Sequence, residues 1–204
     1  MRRPRTAGSR STRSATPGRA VRITTRGGWR TRRATRSSSS RKALRPLTEP
    51  EPNAGDVVVL ALPYGALAEV TEQYGDQLAG NTVVDVTNPI DFTTFDSVVA
   101  PYSSATEELA GKHPAAHVVK AFDTNFAATL ASGEADGRPT TVMAASDSDE
   151  GKAAVRSFVE AAGLSFIDAG ALKRAERLEA IGALQIELAM SEQIGWTGGL
   201  IVTK

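Results

Sequence analysis

The run Asp56-Val57-Val58-Val59-Leu60-Ala61-Leu62 limits this chain more than any other feature of it. A half-exposed strand alternates apolar and polar residues, and this run does not. An unbroken, β-branched run fits a strand covered on both faces, as in a parallel sheet flanked by helices. Pro63-Tyr64-Gly65 breaks it. Over residues 66–78 the spacing becomes helical, with Leu67, Val70, Tyr74 and Leu78 on one face.

The alternation continues to the C-terminus. After a turn at Gly80-Asn81, residues 82–87 read as a second strand, ended by Asn88-Pro89. An irregular stretch leads to a short helix for which Ser103 or Ser104 is the N-cap, with Glu107 in its first turn. Residues 117–122 read as a third strand, 125–130 as helix and 140–145 as a fourth strand. Ser148 begins a helix through Ala162 with Ala154, Val155, Phe158, Val159 and Ala162 on its apolar face, and Gly163 closes it. A short strand over 165–168 precedes one long helix over 172–194, with Leu178, Ile181, Leu184, Leu188 and Ala189 turned inward. Strands alternating with helices predict an α/β, Rossmann-like, doubly wound parallel sheet. Ligands of such sheets lie at the carboxyl ends of the strands. That rule singles out the loops at 63–65, 87–89, 122–125 and 146–149 as neighbours on one rim.

Composition removes several function classes. There is no cysteine, which excludes disulfides, thiolate metal sites and cysteine nucleophiles. The only histidines, His113 and His117, are too few for a zinc site and read as surface residues. No apolar run approaches the ~20 residues of a membrane-spanning helix, and no signal-peptide core follows the basic start. The expectation is a soluble, cytoplasmic protein.

The net charge of +1 hides a division. Residues 1–48 hold fourteen Arg and Lys42 with no Asp or Glu, leaving nine basic against 23 acidic residues in 49–204. No helical or strand period runs through residues 1–50, and their composition cannot bury enough apolar surface to offset chain entropy. We therefore expect two parts: a disordered Arg/Ser/Thr-rich segment at 1–50 and an α/β domain at 54–204. Four readings of the first part compete: a nucleic-acid-binding arm, a transit peptide, an ordinary disordered tail, or an out-of-frame translation of the start of the domain. The last is favoured, because GC-rich codons for Asp and Ala read one base off yield Arg, Thr and Ser.

The order of the motifs carries a resemblance. "VVVLALPYGAL", "LAGNTVVDVTNPI", "VVKAFDTNFAATLASG", "GRPTTVMAASD", "LEAIGALQIELAM" and "GWTGG" follow one another from about Gly55 to the end. In this order they resemble the coenzyme F420-dependent NADP oxidoreductases. The resemblance implies a Rossmann domain that binds NADP(H) and passes a hydride to or from the deazaflavin F420. The cofactors would carry the chemistry while the protein positions two rings, so no catalytic side chain is implied. Leu62, Pro63 and Tyr64 would lie along the dinucleotide, and Asn88 and Pro89 would edge the same crevice. Ala121 and Phe122 would approach the nicotinamide. Trp196, Gly198 and Gly199 would shape the deazaflavin side.

Two features depart from the family. Its first strand and G-x-G-x-x-G-like turn, whose amides hold a pyrophosphate at a helix N-terminus, have no counterpart in residues 1–50. Gly27-Gly28 lacks a preceding apolar strand and does not qualify. The sheet is thus expected to lack its first βαβ unit, and the chain to be inactive if that loop is indispensable. Secondly, the third strand commonly ends "KAFNT" in the family; here Asp123 replaces the Asn, a negative charge near the expected ring pocket unless it caps a helix. Other polar residues have plainer readings: Lys120 as a snorkelling strand residue, Asp85 as a strand-end carboxylate with a local hydrogen bond, Trp196 as packing. The long C-terminal helix offers a surface for a homodimer. The alternative function is a non-catalytic binding protein with a basic arm for nucleic acid, which the lack of interleaved aromatics other than Trp29 argues against.

Overall fold

The computed structural model describes Val21–Thr24 as backbone and residues 57–202 in full. Its centre is a six-stranded sheet in the order β1-β2-β3-β4-β7-β8. Strand β1 is Val21–Thr24, β2 is Val57–Leu60, β3 is Thr82–Asp85 and β4 is His117–Ala121. These four run parallel, paired Val21 to Val57, Val57 to Thr82 and Thr82 to His117. Two further strands, β7 (Thr141–Ala145) and β8 (Ser165–Gly170), are parallel to each other. The Rossmann-like α/β architecture expected from the sequence is present.

Strand β1 lies inside the basic segment, where no strand period could be drawn. Its pairing has a local cause: the open edge of β2 presents unpaired main-chain groups, and Val, Ile and Thr suit a strand. The rest of the disorder expected for 1–50, and whatever follows β1 around Gly27-Gly28, lie outside the described residues.

The all-parallel expectation is corrected at one joint. Strand β7 pairs with β4 antiparallel, Lys120 facing Ala145. Between them the chain forms helix α3 (Ala127–Ser132) and a two-residue hairpin, β5 (Glu134–Ala135) with β6 (Arg138–Pro139). That hairpin, not foreseen from the sequence, reverses the chain before it re-enters the sheet. The loop at 146–149 consequently emerges at the amino end of β4. There the Ser146 hydroxyl donates to the Val118 carbonyl, and Ser148 Oγ meets His117 Nδ1 at 2.9 Å. Three of the four loops share the carboxyl rim; the fourth is on the opposite one. His117 is accordingly half-buried against that loop, not a free surface residue.

Both faces of the sheet are covered, as the continuous run at 57–62 requires. Val58, Leu60 and Val83 pack against helices α1 (Leu67–Leu78) and α2 (Ala105–Lys112). Val59, Val84, Val119 and Val142 pack against Val155 and Val159 of α4 (Asp149–Ala161). Serine caps fix two helix starts: Ser104 Oγ accepts from Glu107 N at 3.1 Å, and Ser148 Oγ from Gly151 N at 3.0 Å. The last helix, α5 (Ala175–Met190), follows a 3₁₀ turn at Leu172–Arg174, so the helix expected at 172–194 is shorter. Its buried stripe is Ala175, Leu178, Glu179, Gly182, Gln185 and Ala189, while Leu184 is 52% exposed. The inward face is therefore rotated and partly polar.

Helix α4 crosses β4 so closely that a Cβ on Gly151 would lie 2.9 Å from Val119 Cγ2. Gly151→Ala is expected to destabilise the protein by about 1–3 kcal/mol despite better helix propensity. Gly111→Ala, in α2 with nothing within 4 Å of the added carbon, is expected to stabilise it by at most about 1 kcal/mol. Denaturant midpoints of the two variants check the opposite signs.

Candidate active site

A cavity of about 560 Å³ opens at the carboxyl rim. That lies within the range of small-molecule sites. Strand β2 contributes Val59 and the following Ala61; the segment after β3 contributes Val86 and Asn88. The segment after β4 contributes Phe122, Asp123 and Asn125, and the end of α4 closes the far wall with Phe158 and Ala162. Phe122 and Phe158 stack with ring centroids 5.9 Å apart and planes 11° apart. Phe122 holds φ at 68°, a left-handed backbone that a bulky side chain rarely adopts. Strain of this kind persists only where surrounding contacts over-determine it. Here it directs the ring from the strand end onto α4.

Asn88 and Asn125 shape the polar part. Asn88 Nδ2 donates to the Asp123 carbonyl at 3.0 Å, and Asn125 Nδ2 donates to the Thr141 carbonyl at 2.9 Å. Both amides thus spend donors on backbone, and both side-chain oxygens are buried without a partner. The Asp123 carboxyl is also buried, with no hydrogen-bond donor outside its own backbone amide. It does not cap a helix; the residue preceding α3 is Phe126. Burial raises Asp123 to about 7, with Asp85 and Glu179 adding to the rise and Lys120 opposing it.

Beside the cavity lies an ionic cluster in the protein interior. Lys120 is fully buried, not snorkelling. Its Nζ sits 2.9 Å from Glu179 Oε1 and 3.3 Å from Asp85 Oδ2, and it donates to the Thr87 carbonyl. The Thr106 hydroxyl donates to Asp85 Oδ2 at 2.6 Å, and the Ala105 amide donates to Glu179 Oε2 at 3.2 Å. Asp85 Oδ1 accepts the local bond expected of it, from Thr87 N at 2.8 Å. Burial alone would drive Lys120 down, but Asp85, Asp123 and Glu179 together outweigh it and hold the ammonium above its usual value. Burial pushes Glu179 up, with Lys120 acting against it.

Of the residues singled out in the sequence, Asn88 and Phe122 line this cavity. Ala121 and Pro89 are buried and are not among its lining residues, and Leu62 is buried two residues beyond the end of β2. Tyr64 is elsewhere: it packs on the other sheet face and donates from its hydroxyl to Glu108 Oε2 at 3.1 Å, beside exposed Pro63. Burial first, and then Glu108, raise the Tyr64 phenol. Trp196 is half exposed and tilts against Phe126 with centroids 5.0 Å apart. Gly198 and Gly199 belong to the same tail, which Gln185 ties down: its Oε1 accepts from Leu200 N and its Nε2 donates to the Thr124 carbonyl, each at 3.0 Å. Sequence reasoning missed Glu179, Thr106 and Gln185. The available signal was helical spacing, since Glu179 and Gln185 fall on the stripe of Ala175, Leu178 and Gly182.

Among the described residues no cluster of His, Cys, Asp and Glu could hold a metal ion, and no helix is long and apolar enough to cross a membrane.

Comparisons with known proteins add the following. No family model matches the sequence. The metalloreductase STEAP3 of Rattus norvegicus is 39% identical over 106 residues, covering 52% of this chain and 21% of that protein. The chain thus spans about a fifth of the length of this curated relative. A crystal structure from Arthrobacter sp. FB24, described as that of a candidate F420-dependent NADP-reductase, aligns with a TM-score of 0.66 at 24% identity. It covers 74% of this chain and 70% of its own. The hypothetical protein SMa0349 from Sinorhizobium meliloti aligns with a TM-score of 0.54 at 32% identity over 58% of each chain. The Arthrobacter likeness shows the fold, and it is to a protein of the kind the sequence motifs resemble.

Lys120→Met leaves Asp85 and Glu179 buried without a counter-charge and is expected to cost about 3–5 kcal/mol, read from chemical denaturation. Asp123 gives a pH dependence of definite sign. Between its ordinary value of 3.8 and about 7, the folded state keeps a proton that the unfolded chain has released. Stability therefore falls as pH rises through that window, with Glu179 acting in the same direction. Asp123→Asn is expected to flatten this slope and to be more stable than the parent above neutral pH.

Proposed function

We propose that this chain is an NADP(H)-dependent oxidoreductase, and that the partner of its hydride transfer is the deazaflavin coenzyme F420. The observation that carries the reading is the cavity at the carboxyl ends of β2, β3 and β4, where parallel sheets of this class take their nucleotides. Its volume suits a ring system, and its walls are apolar and aromatic, with Asn88 and Asn125 among the lining residues. The residues present therefore fit a nicotinamide. The names of the Arthrobacter and STEAP3 proteins, both reductases, point the same way.

Ala61, Asn88 and Phe122 would hold the ring end of the dinucleotide, and the tail at Trp196, Gly198 and Gly199 the second ring. When bound, the cofactors supply the hydride chemistry. The chain's own residues orient and exclude water. Phe122 and Phe158 wall the crevice, and the spent amide donors of Asn88 and Asn125 fix both side chains in place. The lysine cluster keeps β3, β4 and α5 in register beneath them. No glycine-rich turn of the G-x-G-x-x-G kind occurs in the sequence before β2, so the grip on the pyrophosphate is expected to be weak.

Stopped-flow mixing of the full chain with NADPH and oxidised F420 tests this. We expect NADPH consumption matched one to one by loss of the deazaflavin chromophore, saturating only at high NADPH. No transfer at saturating concentrations of both cofactors overturns the reading.

A further inference from the structure

The cavity at the carboxyl rim is less polar than its residue names suggest. Asn88, Asp123 and Asn125 line it, yet their side-chain oxygens are buried, with no partner and essentially no accessible surface. The amides of Asn88 and Asn125 donate to backbone carbonyls at 3.0 and 2.9 Å. The helical wall is built by α3, α4 and the residues just after α4. It consists of Ala127, Leu130, Phe158, Val159, Ala162 and Leu164, with no polar side chain among them. Among the described residues no Lys, Arg or His lines the cavity. The Lys120 ammonium, buried beside it, is spent on Glu179 at 2.9 Å and Asp85 at 3.3 Å. Residues 49–204 hold nine basic against 23 acidic residues, so the surrounding field also opposes an anion. A charged group brought into this space loses its hydration and finds no partner, whereas a neutral apolar ring gains from burial.

We propose that the helical side of this cavity takes a neutral, planar quinone as a hydride acceptor, alongside the deazaflavin. The proposal deepens the function given above and rests on it for the source of the hydride. Three constraints define the class of ligand. The lining selects against a negative charge. Phe122 and Phe158, stacked with planes 11° apart, offer an aromatic surface to a flat ring. The dinucleotide delivers two electrons together, so the occupant must accept a hydride. A quinone meets all three. The C4–H bond of the reduced nicotinamide breaks, and its hydrogen and electron pair pass to one quinone oxygen. The other oxygen takes a proton from water, and the products are NADP⁺ and the neutral hydroquinone. The chain has no cysteine, so a bound quinone is not lost to thiol addition.

The test uses 1,4-naphthoquinone and its 2-sulfonate, which share one bicyclic ring and differ by a negative charge. Equilibrium dialysis against the full chain without nucleotide reads binding, and anaerobic NADPH oxidation reads transfer. We expect the neutral ring to bind at least about tenfold more tightly than the sulfonate and to be reduced one to one with NADPH. Ala162 lines the cavity and is exposed, so Ala162→Phe fills the space without entering the core. It is expected to weaken quinone binding at least about tenfold at an unchanged denaturation midpoint. Ala153→Phe, at an exposed position of α4 outside the lining, is expected to bind as the parent does. Equal affinity for the two rings, no binding of the neutral one, or an Ala162→Phe variant that binds like the parent overturns the proposal. So does a quinone that binds selectively and is not reduced while F420 is. If neither acceptor is reduced, yet the neutral ring binds selectively and Ala162→Phe loses it, the oxidoreductase reading falls and the ligand class of the cavity stands.

Discussion

One buried ammonium organises the carboxyl rim. Lys120 gives up its hydration entirely, and its desolvation is offset only because Asp85, Glu179 and the Thr87 carbonyl converge on it. These partners come from β3, from the segment after it and from α5, and Thr106 brings in α2. Four pieces of chain distant in sequence are thereby held at one point. An apolar contact would tolerate a sliding helix. This cluster does not, since a shift of α5 strands a charge. Gly182, whose absent Cβ leaves room for Asn88 Oδ1 and the Asp123 carbonyl, lets the same helix approach without a gap.

The cavity inherits its form from that anchoring and from the reversal at β4. Because β7 returns antiparallel, its outgoing loop leaves the ligand rim, and α4 supplies a wall in place of a fourth loop. The crevice is consequently mostly apolar, with Asn88, Asp123 and Asn125 the polar residues of its strand side. The unusual environment of Asp123 comes from spacing along β4, with Lys120 three residues earlier and Phe122 between them.

The sequence made the layer architecture legible because burial on both faces leaves a mark in each strand. The runs at 57–62, 82–87 and 117–122 could not be anything but interior strands, and the serine caps at Ser104 and Ser148 announced their helices. Strand direction leaves no such mark. Thr141–Ala145 reads the same whichever way it enters the sheet, so the reversal was invisible. The inward face of α5 was misjudged for a related reason. Hydrophobic spacing favoured Leu184, but pairing with Lys120 and the Thr124 carbonyl draws Glu179 and Gln185 inward. Asn88 and Phe122 were found through their loops. Helical spacing could have flagged Glu179 as inward-facing, but not its pairing; that pairing and the role of Thr106 exist only across long sequence separations.

Gln185 couples the crevice to the C-terminal tail. One end of its amide holds the Thr124 carbonyl beside the crevice, and the other holds the Leu200 amide of the tail. A planar amide has fixed length, so an occupant that displaces the 122–125 loop must either drag the tail with it or release it. The ordering of the last residues is therefore a mechanical gauge of whether the crevice is filled, set by a side chain that touches neither the aromatic wall nor the lysine.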